Sequence, residues 1–247
     1  MKYFVKINYL GTNFHGFQVQ PGLRTVQGEL CRALDEAFGV PCKVTGCSRT
    51  DAGVHANEFC LTVENEGGTI PPEKLPVAVS RFLPNDIALY YAELCEDSFH
   101  PRYDVKSKEY LYRIRNRKIF DPFDFGRVWF FPQDIAADGI SRMNEAGKYI
   151  VGKHDFSAFM SEGSDVVDTV RTVYSLSVTK EGDTIEIRIS ADGFLYNMVR
   201  IIVGTLIDVA LKRISVPEVL DIINSGDRKN AGMTAPAEGL YLNRVVY

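Results

Sequence analysis

Alternating apolar and polar positions predict β-strands with helices between them. In the first part of the chain, runs rich in β-branched and aromatic residues predict four strands, Tyr3–Tyr9, Cys42–Cys47, Glu58–Val63 and Ile87–Leu94. Apolar residues at helical spacing predict a helix over Val26–Phe38 behind an N-cap at Thr25. Pro71-Pro72 opens a second helix that reaches about Phe82, and Pro76 can delay its start. The predicted order is β-α-β-β-α-β.

The second part of the chain repeats this order. Its predicted elements are strands at Tyr110–Asn116 and Arg127–Phe131, a helix at Asp134–Val151, a hairpin of Val173–Thr179 and Thr184–Ser190, helices from Leu195 to Lys212 and from Pro217 to near Gly226, and a closing strand at Gly239–Val246. Gly152–Val170 is polar without clear periodicity, which predicts a long loop of functional interest. We therefore predict an α+β fold of duplicated β-α-β-β-α-β units, with predominantly antiparallel sheets flanked by helices. The expected domains are residues 1–104 and 105–247.

Composition and cysteine usage predict a soluble cytoplasmic protein. Hydrophobic residues make up 45% of the 247 residues and charged residues 24%, as in ordinary globular proteins. The longest apolar stretch, Met198 to Leu211, contains Arg200 and Asp208 and is too short to span a membrane. The first ten residues lack the apolar core of a signal peptide. The five cysteines contain no C-x-x-C pair, which favours reduced structural thiols.

Charge is unevenly distributed along the chain. The net charge of −4 and the pI of about 5.6 argue, taken alone, against a nucleic-acid-binding protein. Between Arg102 and Lys118, however, seven basic residues accompany only two acidic ones. This excess fits either a surface that contacts RNA or a solvated strand face with its loop.

The run Gly46–Ala56 (GCSRTDAGVHA) carries the most informative chemistry. It follows an apolar strand and brings an arginine, an aspartate, a histidine and a glycine into one turn-like segment. If Arg49 to Asp51 is extended, both side chains leave the same face of the backbone. The arginine could then keep the carboxylate ionised and also reach a phosphate or a base, or the pair could simply close a loop.

SRTDAGVHA resembles the signature of the TruA family of tRNA pseudouridine synthases, and the resemblance extends over nearly the whole chain. The other matching segments are Tyr9–Gln20, Thr25–Gly28, Phe99–Asp104, Lys108–Tyr112, His154–Phe159, Gly193–Gly204 and Ala235–Leu242. Ser48 and Pro101 stand where many members have glycine and alanine, and neither change touches a group that the chemistry needs.

The resemblance implies an isomerase that converts uridine to pseudouridine in the anticodon stem-loop of tRNA, at tRNA positions 38 to 40, in a central active-site cleft. Asp51 is then the catalytic carboxylate in cleavage of the glycosidic bond. Tyr110 is expected to stack on the target uracil, and Arg49 to take the place of the extruded nucleotide or to pair with Asp51. Arg200 matches a second active-site arginine, for which Asp51 is the expected partner. Leu240 resembles the apolar floor under the base. Without the resemblance, Tyr110 and Leu240 also fit ordinary core positions.

The remaining expectations concern RNA and partners. We expect Lys106 and Lys108 to contact RNA, in a strip with Arg200, Lys212 and Arg213, and His154 to line the cleft. His55 is expected to support the Asp51 loop. The resemblance implies tRNA as the substrate and a homodimer. Metal-ligand spacing and nucleotide-binding motifs are absent from the sequence, so neither a metal nor a cofactor is expected.

Two alternatives stay open. One is a metal-dependent hydrolase using Asp51 with Asp155 or Asp192, which would need clustered ligands. The other is an RNA-binding paralogue without catalysis, which would be expected to lack Asp51, Tyr110 or an active-site arginine.

Overall fold

The computed structural model describes residues 1–163 and 166–247, which form two compact units. Unit 1 contains Met1–Lys106 and Tyr241–Tyr247, and unit 2 contains Ser107–Leu240. In both units a mostly antiparallel sheet is packed against helices, so the fold is mixed α and β, as predicted.

Unit 1 follows the predicted order of elements. Its strands are β1 (Lys2–Tyr9), β2 (Cys42–Gly46), β3 (His55–Asn65) and β4 (Ile87–Leu94), and its helices are α1 (Val26–Phe38) and α2 (Leu75–Ser80). The Thr25 hydroxyl accepts a hydrogen bond from the Gly28 amide and caps α1, as predicted. Residues Pro72–Lys74 form a 3₁₀ turn before α2, so that helix is shorter than the sequence suggested.

The middle of the unit 1 sheet is β3. On one side it pairs antiparallel with β1, which also pairs with β4. On the other side, one end of β3 pairs antiparallel with β2 and the other end pairs in parallel with the last strand of the chain, β10 (Leu240–Val246), through Tyr241 opposite His55. The start of β3 therefore lies between β1 and β10, and the loop that precedes β3 ends next to both strands.

Unit 2 contains the remaining elements. Its strands are β5 (Ser107–Arg115), β6 (Trp129–Phe130), β7 (Gly152–Asp155), β8 (Val170–Glu181) and β9 (Thr184–Ala191), and its helices are α3 (Ala137–Ile150), α4 (Met198–Ala210) and α5 (Glu218–Ser225). The strand order is β5-β9-β8-β7, with antiparallel neighbours, and β6 pairs in parallel with β5. The predicted hairpin is confirmed as β8 and β9.

Two predictions in unit 2 need correction. The predicted loop Gly152–Val170 instead begins with β7, which pairs with the start of β8. Lys153 and His154 gave no strand signal because β7, at the end of the strand order, needs few apolar residues. Ser164 and Asp165 of that predicted loop lie outside the described residues. The strand predicted over Arg127–Phe131 shrinks to β6, because the Arg127 amide closes a turn onto the Asp124 carbonyl.

Candidate functional site

Asp51 lies on the loop between β2 and β3 of unit 1. Its side chain is half-buried, while Thr50 before it is buried and Arg49 is exposed. The Val54 amide donates to the Asp51 carbonyl at 3.1 Å, and Gly53 has a φ of 81°. A glycine suits this left-handed position, and the tight turn it permits returns the chain directly into β3.

The segment after β1, which carries the motif Tyr9–Gln20, holds the Asp51 loop by its backbone. The Phe17 amide donates to the Thr50 carbonyl at 3.1 Å, and the Gly53 amide donates to the Phe14 carbonyl at 3.2 Å. The Thr50 hydroxyl lies 2.7 Å from the Tyr9 hydroxyl. These contacts fix the main chain on both sides of Asp51.

Glycines allow the two segments to approach this closely. A Cβ atom on Gly11 would lie 1.9 Å from the Val54 carbonyl oxygen, and a Cβ atom on Gly16 would lie 2.6 Å from the Thr50 carbonyl oxygen. Both distances are far below van der Waals contact, so only glycine fits. The motif Tyr9–Gln20 and the Asp51 loop are separate matches to the family pattern, and in the structure they pack directly against each other.

His55 stands at the start of β3, where the Asp51 loop ends. Its side chain is fully buried, and its Nδ1 accepts a hydrogen bond from the Gly11 amide at 2.8 Å. Because Nδ1 is an acceptor, the imidazole is neutral with its proton on Nε2. The ring also stacks on Tyr241, with 4.4 Å between centroids. His55 thus joins the Asp51 loop to the segment after β1 and to β10.

Tyr110 and Leu240 belong to unit 2, and both are largely buried. Tyr110 lies in β5 opposite Ile189 of β9, and its ring packs edge-on against Phe194 at 5.0 Å. Leu240 opens β10 and is 6% exposed. Tyr110 lies in the matching segment Lys108–Tyr112 and Phe194 lies in the matching segment Gly193–Gly204. Two segments that resemble the family are therefore in contact.

Arg200 is held in place by unit 2 itself. Its Nε donates to the Ala235 carbonyl at 2.6 Å and its Nη1 to the Asn197 Oδ1 at 2.8 Å. The Ala235 amide donates back to the Arg200 carbonyl at 3.1 Å. The otherwise apolar helix α4 tolerates this half-buried guanidinium because these acceptors replace water.

Sequence reasoning did not single out Asn197 or Tyr112, which support this region. Asn197 has a left-handed φ of 60° and stands three residues before Arg200, a spacing that offered a signal for the contact. The Tyr112 hydroxyl donates to the Pro236 carbonyl at 2.7 Å. Burial raises the pKa of Tyr112 well above its ordinary value, although the nearby Arg200 charge opposes the shift. The phenol therefore stays protonated.

The basic segment Arg102–Lys118 divides into two groups. Arg113, Arg115 and Arg117 form ion pairs inside unit 2, with Glu186, Asp124 and Asp121 respectively. Lys106 is exposed and Lys108 is half-buried. These three ion pairs offset three of the five excess positive charges of the segment, so the segment offers fewer charges to a phosphate backbone than its sequence suggests.

His154 occupies β7 in unit 2. Its Nε2 lies 3.3 Å from the Val151 carbonyl oxygen, and its ring packs edge-on against Phe156. Asp155 accepts hydrogen bonds from the Ser157 amide and the Thr169 hydroxyl, and these contacts lower its pKa. Both hydrogen bonds are accepted by Oδ1, so this oxygen stabilises a local turn. The hydrolase alternative needs Asp155 as a metal ligand, and this arrangement does not favour it.

Residues 1–163 and 166–247 contain no candidate metal site and no candidate membrane-spanning helix. No group of three or more histidine, cysteine or acidic side chains in this range could hold a metal ion. Over the same residues, none of the helices combines the length and apolar character needed to cross a membrane.

Comparison with known proteins identifies the class. The family model described as tRNA pseudouridine synthase matches residues 6–104 and 146–247. The chain belongs to this family.

Proteins named tRNA pseudouridine synthase A are among its relatives. The protein of that name from Thermoanaerobacter sp. (strain X514) is 46% identical over 243 residues, which cover 98% of each chain. The one from Bacillus subtilis (strain 168) is 42% identical over 245 residues, covering 98% of this chain and 97% of the relative. Clostridium tetani has a relative named tRNA pseudouridine synthase A 2, with 42% identity over 245 residues and the same coverage.

Proposed function

We propose that this protein is the tRNA pseudouridine synthase that isomerises uridine to pseudouridine in the anticodon stem-loop, at tRNA positions 38 to 40. The observation that carries this proposal is Asp51, the carboxylate of the family signature, on a loop whose backbone is fixed on both sides. Its relatives at 42–46% identity bear the name of this activity.

The reaction rearranges one nucleotide without net oxidation or transfer to another molecule. The bond between N1 of uracil and C1′ of ribose breaks, the base turns, and a bond forms between C5 and C1′. The hydrogen on C5 leaves to solvent, and N1 gains a proton. Atoms and electrons balance without a cofactor, so the protein must supply only a nucleophilic or basic group, a base-binding surface and charge stabilisation.

Asp51 is the residue to which we assign the covalent or proton-transfer step. A carboxylate can form a transient adduct with the sugar or the base, or remove a proton, and each route needs the ionised form. We assign Tyr110 to stack on the uracil and Leu240 to form an apolar floor beneath it. Arg200, held by the Ala235 carbonyl and Asn197, would stabilise negative charge. Arg49, which is exposed, would take the place of the flipped nucleotide.

The oligomeric state, the cellular location and the origin of the two halves are also part of the proposal. We propose that the protein is a homodimer, that it acts on tRNA in the cytoplasm, and that its two halves derive from one repeated β-α-β-β-α-β unit. The last point is supported by the β-α-β-β-α-β order of unit 1 together with β5, α3, β8, β9 and α4 of unit 2, which follow the same order once β6 and β7 are set aside. Lys106, Lys108 and His154 are proposed to contact the RNA.

The test is position-resolved modification of tRNA transcripts by the purified protein. Carbodiimide treatment followed by primer extension should give stops at uridines 38 to 40, and these stops should vanish when the uridines are replaced by cytidines. A hydrolase would instead release free uracil in a chelator-sensitive reaction, and a non-catalytic paralogue would bind tRNA without any stop. Either result would overturn the proposal.

A further inference from the structure

A turn of unit 1, residues 100–104, exposes an aromatic and a basic side chain next to each other. Tyr103 is 76% exposed, and Arg102 is exposed as well. Within the residues that the structure describes, Arg102 forms no ion pair, unlike the paired arginines of β5 and of the loop that follows it. We call residues 100–104 the Tyr103 turn.

Hydrogen bonds within the Tyr103 turn fix its backbone. Asp104 Oδ2 accepts from the His100 amide at 2.8 Å, and the Asp104 amide donates to the His100 carbonyl at 3.1 Å. The Arg102 amide donates to His100 Nδ1 at 3.2 Å. The rings of Tyr103 and His100 lie against each other, with 4.2 Å between centroids and 30° between planes. The imidazole therefore supports one face of the Tyr103 ring, and the other face is left to solvent.

The turn is anchored to the sheet of unit 1 on the face opposite helix α1. Phe99, which precedes the turn, packs edge-on against Phe4 of β1 with 5.5 Å between centroids. Tyr247 contacts both rings, and its hydroxyl donates to the Pro101 carbonyl at 2.7 Å. Tyr3 packs against α1, so Phe4, the next residue of the strand, lies on the other face of the sheet. The turn is thus presented by a packed aromatic base.

An aromatic ring held in place beside a cation suits a nucleotide whose base is unpaired. Every base has a π face that can stack on a tyrosine ring, and an arginine can bind a phosphate through charge-assisted hydrogen bonds. Lys106 is also exposed, and it has no ion-pair partner among residues 1–163 and 166–247. Against the single carboxylate of Asp104, Arg102 and Lys106 leave a net positive charge around Tyr103.

The composition of the turn favours RNA over a protein partner. The core of a protein interface is depleted of charged residues. Tyr103, in contrast, lies between two charged neighbours, Arg102 and Asp104. One aromatic ring among charges offers little apolar area to a protein surface, whereas a single stacked base can cover it.

We infer that the Tyr103 turn is a binding site for an unpaired base of the RNA substrate, in which Tyr103 stacks on the base and Arg102 contacts a neighbouring phosphate. This inference rests on the proposed function, which identifies the RNA as tRNA. The base bound at this turn is not the target uracil, to which the proposed function assigns Tyr110.

Filter binding of an unmodified tRNA transcript over a salt series tests the inference. Tyr103→Ala should weaken binding by about fivefold or more and leave the salt dependence unchanged, because stacking releases no counterions. Tyr103→Phe keeps the ring and should bind nearly as well as the wild type. Arg102→Gln should reduce the slope of log affinity against log salt by roughly 0.7–0.9, as expected for one phosphate contact.

Two exposed positions outside the turn supply matched controls. Tyr174→Ala removes an exposed tyrosine of β8, and Arg81→Gln removes an exposed arginine at the end of α2. Both should bind tRNA like the wild type. Equal unfolding midpoints would establish that every variant is folded, as expected for exposed side chains. The rate at saturating tRNA should stay at the wild-type value, because none of these residues is assigned to the chemistry.

The possible outcomes separate the inference from the proposal beneath it. If Tyr103→Ala and Arg102→Gln bound tRNA like their controls while uridines 38 to 40 were modified, the inference would be overturned and the proposed function would stand. Equal weakening by Tyr103→Ala and Tyr103→Phe would also overturn it, because the hydroxyl and not the ring would then make the contact. A wild type that binds no tRNA would overturn both. A wild type that binds tRNA without forming pseudouridine would overturn the proposed function, and the affinities of the variants would still decide the inference.

Discussion

At the scale of single residues, the Asp51 loop depends on contacts that its backbone makes to the segment after β1. Thr50 and Gly53 are bonded to Phe17 and Phe14 through main-chain atoms, and Val54 is in contact with the backbone of Gly11. Side-chain substitutions in that segment therefore act on catalysis only if they move its main chain. Gly11→Ala within that segment and His55→Ala, which removes the hydrogen-bond acceptor of the Gly11 amide, should both do so without touching any group assigned to the chemistry.

His55→Ala should lower activity more than tRNA affinity. The Gly11 amide loses its acceptor and becomes a buried unsatisfied donor, which costs about 1–3 kcal/mol. We expect the maximal rate at saturating tRNA to fall by at least about tenfold, since small misplacements of a catalytic group cost up to roughly a hundredfold. Steady-state kinetics with His15→Ala as control, an exposed histidine of the segment after β1, would check this. Equal rates for the two variants would contradict the positioning role of His55.

Gly11→Ala should have a stronger effect for a steric reason. The added Cβ would lie 1.9 Å from the Val54 carbonyl oxygen, so the backbone three residues after Asp51 must shift. We expect a loss of activity on the order of a hundredfold. Gly22→Ala is the control: it has a φ of 72° but open space around the added atom, so it should lower the unfolding free energy by only about 1 kcal/mol. A fully active Gly11→Ala enzyme would show that this close contact does not place Asp51.

Sequence motifs single out Asp51 and Arg200 as candidates, but they do not show the contacts that hold these residues. The acceptors of Arg200 are a backbone carbonyl at Ala235 and a side chain in a left-handed conformation at Asn197. Every residue has a backbone carbonyl, so the sequence does not show which one will accept a hydrogen bond from Arg200. Only the folded structure shows this. The glycines of the motif Tyr9–Gln20 are visible in the sequence, but the loop residues that they pack against, Thr50 and Val54, are not.

At the scale of elements, amphipathic segments with clear end signals were predicted almost to the residue. Helix α1 begins after the Thr25 cap and ends at Phe38, as predicted, and Gly39 follows it in the left-handed conformation. Strand β9 alternates buried and half-buried residues throughout. In contrast, β7 depends on pairing with β8 rather than on its own apolar content, so local pattern could not reveal it.

Asp155 at the end of β7 gives a pH-dependence of stability. Hydrogen bonds from Thr169 and Ser157 lower its folded-state pKa below the ordinary value of 3.8. The carboxylate therefore stabilises the fold above about pH 4, and this contribution is lost as the pH falls through the lowered pKa. Asp155→Asn should reduce the dependence of the unfolding free energy on pH below this point. Urea titrations at a series of pH values would measure this dependence, with the exposed Asp134→Asn as control. If the unfolding free energy of the wild type and of Asp155→Asn changed equally with pH, the prediction would be contradicted.

At the scale of the whole molecule, an acidic protein of net charge −4 must bind an anionic substrate. The ion pairs of Arg113, Arg115 and Arg117 remove three of the candidate phosphate contacts that the sequence offered. Charge counting along the chain could not distinguish these paired arginines from available ones, because their partners at Glu186, Asp121 and Asp124 are set by strand pairing and loop geometry.

Replacing Lys106 and Lys108 by glutamine should weaken tRNA binding and flatten its salt dependence. Each lost phosphate contact reduces the slope of log affinity against log salt by roughly 0.7–0.9, so the double variant should lose up to about 1.8. The rate on saturated enzyme should change little. Filter binding over a salt series is the measurement, with Lys43→Gln plus Lys148→Gln as a charge-matched control. A slope equal to that of the control would show that this strip is only a solvated face.

Single-turnover release of tritium from tRNA labelled at C5 of uridine tests most directly whether Asp51 performs the isomerisation. Wild-type enzyme in excess should release one tritium for each uridine modified. Asp51→Asn should release none while binding tRNA with nearly the wild-type affinity, because an amide preserves the shape of the side chain but is neither nucleophile nor base. Asp97→Asn, an exposed position of unit 1, should retain full activity. Tritium release by pure Asp51→Asn protein, with deamidation excluded by mass spectrometry, would contradict the assignment.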